Sequence, residues 1–174
     1  ILYRLVGSEM CIRDSDITST WESTIYPTDT TYFGNPPDVD NNCQIEILIF
    51  QIDGGGGIGG YFDPNIASQR EIMFIDSGDL SWRNTIIAHE FQHLLHYSYT
   101  NKGRKFNEGM SEVASVITGT GYPGFNPNSY LTRAGNTGWS FELTGEHYSM
   151  GGLFVLYFAE QLGYASLLKF QEID

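Results

Sequence analysis

Ile86-Ile87-Ala88-His89-Glu90-Phe91-Gln92-His93-Leu94-Leu95-His96 holds two histidines four residues apart inside an apolar run of helical periodicity. Residues at that spacing stack on one face of a helix, so His89 and His93 can aim two imidazoles at one point. Glu90 stands beside His89, where it can reach a water on a shared ion without being a ligand itself. Ile86, Ile87, Phe91, Leu94 and Leu95 give the helix large apolar residues on several sides, which suits a central position. Two histidines on a buried helix can equally be satisfied core residues, so a third ligand has to decide. His96 follows His89 by seven residues, about 10 Å along a helix axis, too far to share an ion with both. Phe106-Asn107-Glu108-Gly109-Met110-Ser111-Glu112 offers a carboxylate, Glu108, where a second helix would begin.

These two stretches together resemble the gluzincin metallopeptidases, whose third ligand is a glutamate in an Asn-Glu-small-x-Ser-acid motif. Three upstream stretches resemble the hyicolysin-like bacterial branch: Ile45-Glu46-Ile47-Leu48-Ile49-Phe50-Gln51-Ile52-Asp53, Gly60-Tyr61-Phe62-Asp63-Pro64 and Glu71-Ile72-Met73-Phe74-Ile75-Asp76. The likeness runs from about Asn42 to the C-terminus and is densest between Glu71 and Glu112. Metzincins match less well, because their later Gly and His fall on His96 and Tyr99 here.

The resemblance implies an α+β, zincin-like fold, with a small mixed sheet on a central active-site helix and a mainly helical C-terminal part. It implies one catalytic Zn2+ on His89, His93 and Glu108, with Glu90 as general base for a zinc-activated water. Glu112, one turn after Glu108, would hold the outer ring N–H of His89. An oxyanion donor is expected from Glu146-His147-Tyr148-Ser149-Met150-Gly151. His147 resembles the thermolysin-like His-x-x-x-Gly arrangement and Tyr148 the Tyr-donor branch, and both stay open. The expected activity is endopeptidase action on a peptide or protein, at the surface or outside of a bacterial cell. The alternative is a zinc-binding domain without catalysis, serving adhesion or assembly; such a domain has no use for a base at Glu90.

With 174 residues, 41% hydrophobic and 14% aromatic, the chain can bury one real core. A formal net charge of −12 argues against nucleic acid or an anionic membrane as partner. No apolar run approaches the ~20 residues of a membrane span, and no basic-then-apolar leader is visible. Ile1 to Ser15 lacks a clean period, and Val6 to Ser15 resembles translated sequencing adapter. Residues 1–15 are therefore expected to be foreign, and 16–174 to be a single catalytic domain truncated at both ends. Cys11 and Cys43 could form one disulfide, whereas a foreign Cys11 leaves Cys43 a lone thiol.

Between Asp16 and Asn42 the Thr, Ser, Asp and Pro content predicts turns and a short strand around Trp21 to Tyr26. Calcium is possible at Asp38-Val39-Asp40-Asn41-Asn42, which has the spacing of the first half of a calcium loop. The Gly at position six and the Glu at position twelve are missing, however, since Cys43 and Ile49 stand there. An acidic turn is the simpler expectation. Ile45 to Ile52 and Glu71 to Asp76 predict strands, and the Gly-rich stretch after Asp53 a mobile hairpin connection. Asp79 or Ser81 is expected to cap the active-site helix. Helices are expected over Asn107 to about Thr118, Glu146 to Gly163 and Tyr164 to Asp174, with a loop from Gly119 to Asn128.

Overall fold

The computed structural model describes residues 2–5, 16–54, 57–78, 80–99, 104–121, 126–133 and 144–172. The fold is α+β, with a mixed sheet whose strand order is β1-β2-β4-β3. Strand β1 is Leu2–Leu5, β2 Glu46–Phe50, β3 Gly60–Tyr61 and β4 Ile72–Asp76. β1 runs parallel to β2, β2 parallel to β4, and β3 antiparallel to β4. β4 is buried along its whole length, as its unbroken Ile-Met-Phe-Ile run requires of a strand covered on both faces. β2 buries only alternate residues, Ile47 and Ile49 among them.

Two expectations for this half are corrected. The Gly-rich stretch is no hairpin connection, because β3 pairs with β4 and not with β2. The chain instead turns back through the short helix α2, Pro64–Ala67, whose N-cap Asp63 accepts the Asn65 N–H at 2.8 Å. The segment from Asp16 is helix, not turns and a strand. Residues 16–20 are α-helical, Trp21–Ile25 form a π-turn, and α1 (Tyr26–Phe33) follows directly.

The reason lies in the spacing of what that segment buries. Ile17, Trp21, Ile25, Asp29 and Phe33 are all buried, each four residues after the last. In a 3.6-residue helix such a stripe drifts by about 40° per step. A π-turn, closed here by the Tyr26 N–H donating to the Trp21 carbonyl, turns more slowly and brings the stripe back onto the core. Burial of Trp21 and Ile25 thus overrides the strand preference of the neighbouring Thr residues.

Helix α3, Arg83–Tyr97, is the centre of the molecule, with every residue from Ile87 to His96 buried. It packs on β4 and on the Asp16 segment, where Phe91 meets Trp21 at 4.6 Å and Tyr26 at 5.8 Å between ring centroids. Ser81 does not cap it. The N-cap is Trp82, without a side-chain capping bond, and Ser81 sits in a preceding 3-10 turn, Leu80–Trp82. Asp79 lies outside the described residues.

The C-terminal part is helical: α4 Arg104–Ile117, α5 Pro127–Leu131, α6 Gly145–Leu162 and α7 Ser166–Glu172. α4 lies between α3 and α6. Of the segment set apart as foreign, Leu2–Leu5 forms β1, and residues 6–15, with Cys11, lie outside the described residues. Cys43 is an exposed free thiol. No described helix is long and apolar enough to cross a membrane.

Candidate metal centre

The middle of α3 presents His89 and His93 one turn apart, and the first turns of α4 present Glu108 to both. Nε2 of His93 lies 3.2 Å from Nε2 of His89, and Oε2 of Glu108 lies 3.4 Å from each. The three donors form a near-equilateral triangle at a site that is almost closed to solvent. This buried His89, His93 and Glu108 group could hold a metal ion. His96 is buried on the same helix but is not in the group.

The outer ring nitrogens have their own partners. Oε1 of Glu112 lies 3.3 Å from Nδ1 of His89, within ion-pair reach but off line for a hydrogen bond. Nδ1 of His93 lies 3.0 Å from Oδ1 of Asn107 and 3.1 Å from Oγ of Ser111. Ser111 is nearer to Nδ1 than to Nε2, which is 3.4 Å away.

Behind Ser111 runs a chain of buried hydrogen bonds whose direction can be followed from its far end. The Phe33 carbonyl oxygen can only accept, so Nε2 of Gln171 donates to it, at 2.6 Å. Oε1 of Gln171 then accepts from Nε2 of Gln92, at 2.8 Å. Oε1 of Gln92 in turn accepts the Ser111 hydroxyl, at 2.6 Å. With its only proton spent there, Ser111 meets His93 as an acceptor, as does Oδ1 of Asn107. Both favour the proton on Nδ1, which leaves the Nε2 lone pair facing the other two donors.

Electrostatics follows from packing three acids, Glu90, Glu108 and Glu112, and two imidazoles in one buried space. Burial lowers the His89 pKa, but the close carboxylates of Glu108 and Glu112 and the charge of Glu90 outweigh it and push it up to about 10. Burial raises the Glu108 carboxyl, yet hydrogen bonds and charge from His89 and His93 hold it well below the usual carboxylate range. A cation at this point would take over the part the His89 proton plays. Glu90 is buried beside them, and burial pushes its pKa above the ordinary value despite the nearby imidazoles. The backbone of β3 lies close over it: a Cβ on Gly60 would come within 3.1 Å of Cγ of Glu90.

No family model and no curated protein matches this chain.

The remaining predicted residues both sit on the first turn of α6. Tyr148 places its ring 6.3 Å from that of His89, centroid to centroid. His147 is buried, and its Nδ1 lies 2.8 Å from Oγ1 of Thr144, the N-cap of the same helix. Phe62 stacks on the His93 ring at 6.5 Å between centroids. The supporting roles of Asn107 and Ser111 escaped sequence reasoning, although both stand inside the quoted Glu108 stretch. Gln92 and Gln171 gave no signal, since nothing in a lone glutamine announces a buried partner 79 residues away.

Proposed function

We propose that this chain is a zinc-dependent endopeptidase of zincin-like fold, related to the gluzincins its motifs resemble. What carries the proposal is the triangle of donors. Two imidazole nitrogens and one carboxylate oxygen are a set suited to zinc. A tetrahedral ion with ligands at ~2.0–2.1 Å spaces its donors about 3.3 Å apart, and the edges here are 3.2, 3.4 and 3.4 Å. His89, His93 and Glu108 would hold the zinc, which would supply a Lewis acid to acidify water and polarise a peptide carbonyl.

The side chains around it divide the rest of the work. Glu90 takes the proton of the attacking water on its carboxylate and hands it to the nitrogen of the departing amine. A buried carboxyl with a raised pKa is suited to holding that proton between the two transfers. Glu112 orients His89, and Asn107 with Ser111 orients His93. Tyr148 is favoured as donor to the oxyanion, because its ring lies 6.3 Å from that of His89. A peptide substrate is supported by β3, the edge strand beside Glu90, along which an extended chain could add as a further strand.

Glu90 also weighs against a purely adhesive zinc domain: burying a carboxyl that is not a ligand costs stability and gives a static site nothing. The deciding experiment is Glu90→Gln, with zinc measured by atomic absorption and cleavage measured on an unfolded protein substrate. Wild-type zinc content with activity lower by a factor of ~10²–10⁴ is expected. Undiminished cleavage would overturn the mechanism, and absence of zinc from the wild type would overturn the centre.

A further inference from the structure

We propose a second cation site, for Ca2+, built by Asp38, Asp40 and Glu71 on the side of the sheet where β2 begins. Carboxylate oxygens of these three residues lie within 4.8 Å of one another. Asp38 and Asp40 stand at positions one and three of the acidic loop that precedes β2, and both are exposed. Glu71 comes from a different part of the chain. Because β2 and β4 run parallel with Glu46 opposite Ile72, Glu71 is delivered to the loop at the start of β2.

Glu71 separates this cluster from an ordinary acidic turn. It is 2% exposed, and its Oε1 accepts the Val39 N–H at 2.6 Å, so the carboxylate faces into the loop. Its Oε2 is buried and has no hydrogen-bond partner among the described residues. Arg70, the neighbouring cation in sequence, is turned to Glu46 at 3.1 Å. A buried carboxylate with an open oxygen beside two further carboxylates is costly unless a cation completes it.

All three donors are hard oxygen atoms, which select Ca2+ or Mg2+ over the softer transition metals. A loop supplying donors at irregular spacing suits the flexible six- to eight-oxygen shell of Ca2+ better than the strict octahedron of Mg2+. The loop also explains how a calcium motif can lack its usual sixth and twelfth residues. Cys43, at position six, adopts the left-handed φ of 56° that Gly normally supplies. Glu71 stands in for the missing acid at position twelve from outside the loop.

The test is thermal unfolding of the whole chain against CaCl2 and MgCl2, for the wild type, Glu71→Gln and Asp40→Asn. Asp40 is exposed, so Asp40→Asn keeps the test decisive if Glu71→Gln does not fold. For the wild type we expect Kd in the ~10⁻⁴–10⁻³ M class of extracellular sites. Tm should rise by about 3–6 °C at tenfold excess of Ca2+ over Kd. Each variant should lose most of that rise, and Mg2+ should give less than Ca2+. No rise up to ~10 mM CaCl2, an equal rise in the folded variants, or a larger response to Mg2+ would each overturn the site.

Discussion

The backbones of Gly109 and Gly151 touch: a Cβ built on Gly109 would stand 2.5 Å from the Gly151 carbonyl oxygen. This is where α4 crosses α6, one residue beyond Glu108, so the glycine pair sets how deeply the third donor enters the centre. Alanine is the better helix former by ~1 kcal/mol, so any net loss in Gly109→Ala measures the clash. A net destabilisation of about 1–3 kcal/mol is expected by denaturant unfolding, together with weaker zinc binding as Glu108 is pushed aside. Stability equal to or above wild type would show that the crossing relaxes freely.

Glu112 lies 3.3 Å from the outer nitrogen of His89. Glu112→Gln keeps the shape and removes the charge, so the proposed zinc ligands stay in place while His89 loses its neighbouring carboxylate. Zinc affinity should fall about 10–100-fold, read by competition with a chromophoric chelator. If affinity is unchanged, Glu112 serves packing alone.

Gln171 lies at the C-terminal end of the chain, yet it anchors the tautomer of His93 through Gln92 and Ser111. Gln171→Ala strands the Gln92 amide and the Phe33 carbonyl in the core, costing about 2–4 kcal/mol on unfolding. A structural loss alone would leave His93 untouched. Nitrogen-15 NMR of the folded variant should instead detect a mixture of His93 tautomers where the wild type has its proton on Nδ1. A single unchanged tautomer would break the proposed relay.

Asp29 is fully buried on the apolar stripe of α1, and neither carboxylate oxygen has a hydrogen-bond partner among the described residues. Burial therefore raises its pKa well above the ordinary carboxylate value. In the window from the unfolded value, near ~3.9, up to the folded pKa, the native state holds a proton that the unfolded chain has lost. Asp29 thus costs stability progressively as pH rises through that window. Asp29→Asn, which cannot ionise, should melt higher at neutral pH by about 2–4 °C and should differ little from wild type near pH 4. An Asp29→Asn protein that melts lower at neutral pH would mean that the carboxylate has a structural role.

The Gly-rich stretch and the Thr-rich segment show where local reading ran out. Alternation in Ile45 to Ile52 and the apolar run after Glu71 announced strands, because period and composition are local properties. Which strands pair is not local, and β3 joined β4 because α2 returns the chain to that edge. The segment from Asp16 lost its strand preference to a stripe of burial every fourth residue, legible only once a core existed to receive it.

The one-turn spacing of His89 and His93, the glutamate beside them and a carboxylate helix following were all determined by the amino-acid sequence, since a helix of known pitch converts spacing into direction. Tertiary structure alone decided that Glu108 comes within 3.4 Å of both imidazoles, that Gln171 reaches Gln92, and that Glu71 meets Asp38 and Asp40. Each of these depends on how separate elements dock. That docking is set by the packing of whole faces, such as the glycine contact between α4 and α6, and not by any local pattern.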